Sequence, residues 1–163
     1  MNAPSVATEE NLQRTCAAFQ SISWPLSREE LLAITTSLDW TIVHDLDRVI
    51  YFISNLSRSS LPNAKASLSE NNVLELTLDI SDETTEKREL TAQLKTLKQS
   101  LTSILGTPDG FDVGSYWELD NGGRFKLLKL SSVIVLSILQ PAYADIERGE
   151  ERHGISPDRD PLA

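Results

Sequence analysis

The sequence predicts an α+β domain: an antiparallel sheet of about five to six strands, with a long amphipathic helix at about 83–105 packed on one face. Three observations lead there. Between Tyr116 and Gln140 the chain reads as successive strands, with turns at Asp120-Asn121-Gly122-Gly123 and Ser131-Ser132. Directly before them, Leu90, Leu94, Leu97, Leu101 and Ile104 recur at four-three-four-three spacing, the period of a helix with one apolar stripe. Upstream, Leu74, Leu76, Leu78 and Ile80 alternate with Glu75, Thr77 and Asp79, the period of a strand with one face on a core and one in water. At 163 residues and 40% hydrophobic, the chain suffices for a single core, so one domain over 1–163 is expected.

Residues 1–10 are small and polar and read as a flexible start. Leu12, Cys16 and Phe19 fall at helical spacing over 10–19, and the pair Trp24-Pro25 ends that pattern, because the residue before a proline avoids helical backbone. Ser27 followed by Glu30 forms a capping box, and Leu31, Leu32, Ile34 and Leu38 supply the apolar face of a helix over 28–38. The β-branched and aromatic runs 40–43 and 48–54 favour strand. Three serines and Pro62 make 55–63 a loop, and 64–69 and 73–80 form a hairpin around Glu70-Asn71-Asn72. In the long helix, Asp82, Glu83 and Glu86 complement the positive end and Gly106 with Pro108 ends it. Its leucine stripe spans only about two heptads, so packing on a sheet is favoured over a coiled coil. After an Asp109-Gly110 turn and the closing strands, Pro141 ends the sheet, 142–152 is a short helix interrupted at Gly149, and 153–163 is a polar tail.

Net charge is −9, which opposes the phosphate backbone and argues against a nucleic-acid partner. Apolar runs such as Val133 to Leu136 are too short for a membrane span, and the first residues lack the apolar core of a signal peptide. A single cysteine excludes an internal disulfide and a thiolate cluster, so a cytoplasmic setting is expected. Asn55-Leu56-Ser57 fits a glycosylation acceptor, but no secretion signal accompanies it.

No pattern carries catalysis, a cofactor or a metal. His44 and His153 are the only histidines. Asp45 and Asp47 stand beside His44, but adjacent strand side chains point to opposite faces. Asp158-Arg159-Asp160 lacks the spacing and glycine of a calcium loop. Gly122-Gly123 falls inside a hairpin turn, where it supplies positive φ rather than a phosphate cradle. Cys16 lies on an apolar helix face with no histidine near it, and Glu150-Glu151 has no apolar surroundings to raise a pKa. Trp40 and Trp117 read as core residues rather than partner anchors. An enzyme is not expected.

The segments LGTPDG, YWEL and GGRFKLLKLSSVIVLSILQPAYADIERGEE, in the order helix, strands, long helix, strands over about 28–152, resemble a group of small actinobacterial proteins. Some of these accompany secreted polymorphic toxins as immunity proteins. The resemblance implies a stoichiometric inhibitor that occludes a toxin's active site, and it brings no catalytic residues. With the acidic charge, it implies a cognate, basic toxin domain as partner. The candidate contact residues are Asp45, Asp47, Glu70, Asp109, Asp112 and Asp120 in loops, with Tyr116 beside Trp117. The basic strand Arg124-Phe125-Lys126-Leu127-Leu128-Lys129 departs from that pattern and equally suits an acidic partner. Two other readings stay open: a secretion chaperone holding a client on a sheet edge, and a small-ligand-binding domain whose polar groups converge only in three dimensions.

Overall fold

A computed structural model describes residues 5–58, 61–111 and 114–154, the side chains of 110 and 111 excepted. Two helices lead into the sheet. Helix α1 (Glu9–Gln20) is capped by Thr8, whose hydroxyl accepts from the Asn11 N–H, and it buries Leu12, Cys16 and Phe19. Helix α2 (Arg28–Ser37) opens on the expected capping box: the Ser27 hydroxyl accepts from the Glu30 N–H at 3.1 Å, while the Glu30 carboxylate accepts from the Ser27 N–H at 3.4 Å. Four strands follow, β1 (Thr41–Asp45), β2 (Val49–Ile53), β3 (Ala64–Ser69) and β4 (Asn72–Asp79). After α3 (Lys87–Leu105) come β5 (Asp109–Phe111), β6 (Gly114–Glu118), β7 (Arg124–Lys129) and β8 (Ile134–Leu139), then α4 (Pro141–Arg152).

All strands join one antiparallel sheet in the order β1-β2-β3-β4-β8-β7-β6-β5. Its eight strands exceed the expected five or six. The surplus includes β5, three residues where the sequence signals only a turn, held as a strand by pairing with β6. Alternation then sorts the side chains. Ile50 and Phe52, Ala64 and Ala66, Leu76 and Leu78, Ile134, Leu136 and Ile138, Phe125 and Leu127 form one buried cluster with Leu12, Cys16, Phe19, Leu31, Leu90, Leu97 and Leu101 from α1, α2 and α3. Helix α4 lies on the other face, against Arg124 and Lys126, which alternate with Phe125 and Leu127.

Helix α3 packs on the sheet as expected but begins at Lys87 rather than 83. The preceding segment is held in other pairings: Asp82 accepts from the Ser5 N–H at 3.0 Å and from Arg58, and the Thr84 N–H donates to the Ser132 carbonyl at 2.9 Å. Burial alone raises the Asp82 carboxyl, but these hydrogen bonds outweigh it and hold the group below its ordinary range. They also bear on the start expected to be flexible. Residues 1–4 lie outside the described set. Ser5 is tied to Asp82, the Ala7 N–H bonds the Ile80 carbonyl at 2.8 Å, and Ala7 is buried. Of the polar tail, His153 and Gly154 close α4 in a turn and 155–163 lie outside the described residues.

Trp40 and Trp117 are core residues, and the Trp117 indole N–H donates to the Gly106 carbonyl at 2.8 Å. Gln93 breaks the α3 stripe: it is 7% exposed, and neither end of its amide has a hydrogen-bond partner. A buried amide without partners costs about 1–3 kcal/mol. Gln93→Leu is therefore expected to stabilise the fold by about 1 kcal/mol, read from the urea midpoint at unchanged slope. A loss of stability instead would mean that the amide is satisfied by water.

Candidate protein-docking site

The turns at one end of the sheet hold Asp45, Asp47 and Glu70, three of the acids that the sequence proposes as contacts. The register Asp45↔Ile50, Val49↔Ser67, Ser67↔Glu75, Glu75↔Leu139 and Leu139↔Arg124 puts the β1–β2, β3–β4 and β6–β7 turns and the start of α4 along that one end. Arg28, first residue of α2, organises one corner. Its guanidinium pairs with Asp45, donates to the Leu46 and Asp47 carbonyls at 2.8 and 2.6 Å, and reaches the Asn71 side chain at 3.2 Å. Asp45 is thus spent on Arg28, while His44 packs edge-on against Tyr51 at 6.1 Å, so the two do not act as a ligand pair.

Asp47 and Glu70 share a cavity of about 580 Å³ with Arg48, Leu68 and Leu74. A second, shallower cavity of about 290 Å³ starts at the next residue: Glu75, Lys126 and Leu139 on the sheet face Tyr143, Ile146, Glu147 and Glu150 on α4. Leu74 and Glu75 sit at the irregularity of the β3–β4 ladder, where pairing shifts between Ser67 and Leu68. The bulge sets Leu74 of the first cavity and Glu75 of the second on consecutive residues. Burial holds the Glu75 carboxyl above its ordinary range; Lys126 pulls it down and Glu147 pushes it up further.

The remaining proposed contacts are not brought there. Asp120 lies in the β6–β7 turn, at the same end but beyond β8 and β7. Asp109 pairs with Tyr116 on the far lateral edge, and Asp112 lies outside the described residues. Tyr116 is half-buried, with the Arg124 guanidinium 4.1 Å above its ring. Glu75, Glu147 and Glu150 are missing from the sequence-based set. Glu75 shows the alternation of an outward strand residue, but nothing local tells that α4 folds back over it.

The basic strand corrects a second expectation. Arg124 is completely buried and Lys126 is 7% exposed, so with α4 in place neither is presented to a partner. Arg124 donates to Glu118 through Nε at 3.0 Å and through one terminal nitrogen, and to Glu147 and Glu151 at 3.0 and 2.5 Å through the other. Lys126 meets Glu147 at 2.6 Å, and Arg148 bridges Glu118 to Asp145. Burial works against the Arg124 charge, but the bonds from Glu151 and Glu118 outweigh it and keep the guanidinium protonated. For Glu118 likewise, burial raises the carboxyl, while the bonds from Arg148 and Arg124 bring it below the ordinary carboxylate range. Arg124 spends its donor fork on carboxylates of its own chain, an arrangement that builds structure.

Burial pushes the Cys16 thiol up to about 12, so it stays protonated and unreactive at neutral pH. Among the described residues, no three His, Cys, Asp or Glu side chains converge in a way that could hold a metal ion, and no helix is long and apolar enough to cross a membrane.

Comparison with known proteins gives one family. The model of the family of unknown function DUF6301 matches residues 10–140, from the first turn of α1 to the residue before α4. No curated protein and no solved structure matches the chain. With its helices α1 to α3 and the whole sheet inside that match, the chain belongs to the family of unknown function DUF6301.

Proposed function

We propose that the protein is a non-enzymatic binding module that neutralises a basic protein partner, most specifically an immunity protein that covers a toxin's active site. One observation carries this reading: Asp47 and Glu70, beside Arg48, line one cavity on one side of the Leu74 bulge, and Glu75 and Glu150 line a second on the other side, with Leu139, Tyr143 and Ile146 and with Lys126 already paired to Glu147. Carboxylates around an apolar centre suit lysine- or arginine-rich protein surface, with charge setting the approach and the aromatic and aliphatic groups supplying contact area. Glu75 fits this role in particular, because its half-buried carboxylate gains from an incoming cation.

The test uses the tagged full-length chain, wild type and Asp47→Lys/Glu70→Lys/Glu75→Lys, for capture from host lysate. Wild type is expected to retain a single basic partner whose toxicity it abolishes at one-to-one stoichiometry. The triple variant is expected to associate with that partner about tenfold more slowly at low salt, with the difference shrinking as salt rises. An unchanged association rate at low salt rules out docking by this end of the sheet, and several exported clients in place of one partner would favour the chaperone reading.

A further inference from the structure

Helix α4 is held to the sheet by charge more than by an apolar face. Ala144 is its only fully buried residue, while Tyr143 is 37% and Ile146 59% exposed. Glu147 and Glu151, one turn apart, instead grip Arg124 at 3.0 and 2.5 Å, and Glu147 also takes Lys126. The surface beneath combines these two buried cations with Glu118, bonded to Arg124 and to Arg148 of α4, with Glu75 beside Lys126, and with Tyr116 and the buried Leu139. A single residue, Gln140, joins β8 to the helix.

We propose that this face of β6, β7 and β8 is a docking surface for an acidic amphipathic helix of a partner protein, and that α4 is its resident occupant, displaced when the partner binds. The chemistry that recognises the incoming helix is already displayed by α4: two carboxylates at i and i+4, one on the Arg124 guanidinium and one shared with Lys126. Buried ion pairs fix orientation more than they add stability, so one acidic helix replaces another at little cost, whereas loss of both α4 carboxylates leaves Arg124 with Glu118 alone. This inference goes beyond the basic-partner reading and does not rest on it, since the partner here is acidic and the surface lies under α4.

The experiment follows amide exchange of full-length protein together with binding of a fluorescent synthetic peptide of residues 141–152. In wild type, α4 amides are expected to exchange about tenfold faster in about 1 M salt than in about 0.05 M, with β7 and β8 unaffected. In Glu147→Gln/Glu151→Gln, α4 is expected to open about a hundredfold more often while the sheet stays protected. That opened variant is expected to bind the peptide, more weakly as salt rises, and to ignore a control peptide carrying glutamine at both glutamate positions. The proposal is overturned if wild-type α4 exchanges only with global unfolding at every salt concentration. It is also overturned if the opened variant fails to bind the acidic peptide at up to about 1 mM, or binds both peptides equally.

Discussion

Arg124→Ala is expected to lower folding stability by about 3 kcal/mol, at the low end of the range for breaking a buried ion pair. The side chain is fully buried and bonded to Glu118, Glu147 and Glu151. Without it Glu118 keeps Arg148, Glu147 keeps Lys126, and Glu151 keeps the hydroxyl of Tyr116 at 3.5 Å. The carboxylates at the end of α4 then lift away with the helix and regain water, which limits the loss. The buried stem of Arg124 disappears as well. For a domain of this size about 3 kcal/mol corresponds to a drop in melting temperature of about 10 °C. The sign of the pH dependence follows from Glu118. Its carboxyl is held below its ordinary value in the folded state, so the stabilisation is complete above the ordinary carboxylate range and is lost as pH falls through the lowered value. Wild type and variant should therefore draw together as pH falls through that lowered value. Urea unfolding across pH measures both effects; a loss under about 1 kcal/mol at neutral pH would show that the cluster is solvated in solution.

Phe52→Ala is expected to cost about 4 kcal/mol, within the usual range for truncating a buried phenylalanine. The ring is fully buried on β2 and meets Trp40 edge-on, with centroids 5.9 Å apart; Trp40 in turn lies 6.4 Å from Phe19 of α1. The substitution removes apolar burial, leaves a cavity, and breaks an aromatic chain that ties β2 to α1. Phe52→Leu keeps most of the volume and should lose about half as much. Guanidinium unfolding followed by tryptophan fluorescence reads both variants. Equal losses would mean that the site collapses around the smaller side chain.

Local pattern and long-range assembly account for different parts of this molecule. The capping box at Ser27, the leucine stripe of α3 and the alternation of Leu74 to Ile80 are properties of neighbouring residues, and they form as the sequence predicts. The first turn of α3 does not, because Asp82 and Thr84 find partners at Ser5, Arg58 and Ser132, far away in the chain. β5 escapes prediction for the same reason: three residues hold no period, and only the β6 edge makes them a strand. Among the proposed contacts, Asp45, Asp47 and Glu70 gather because the β1–β2 and β3–β4 turns lie side by side. Glu147 and Glu150 join them only because α4 folds back, and that return also converts Arg124 and Lys126 from an apparent exposed basic strand into the centre of an ion cluster. Alternation distinguishes two faces of a sheet. It does not distinguish water from a charged helix as what covers one of them.

The strand order has a kinetic consequence. Of the seven strand pairings, six join strands consecutive in sequence, and only β4 with β8 brings distant segments together. The chain thus builds two meanders from fast local hairpins, and the slow step is their single encounter, Leu76 meeting Ile138 and Leu78 meeting Leu136. The long connection through α3 adds little thermodynamic penalty, since loop-closure entropy rises only about 0.6 kcal/mol per doubling of length. Its cost is in time. Until the encounter, β4 and β8 each present an unpaired edge beside an apolar face, the condition under which half-sheets of two different molecules pair with each other instead of within one.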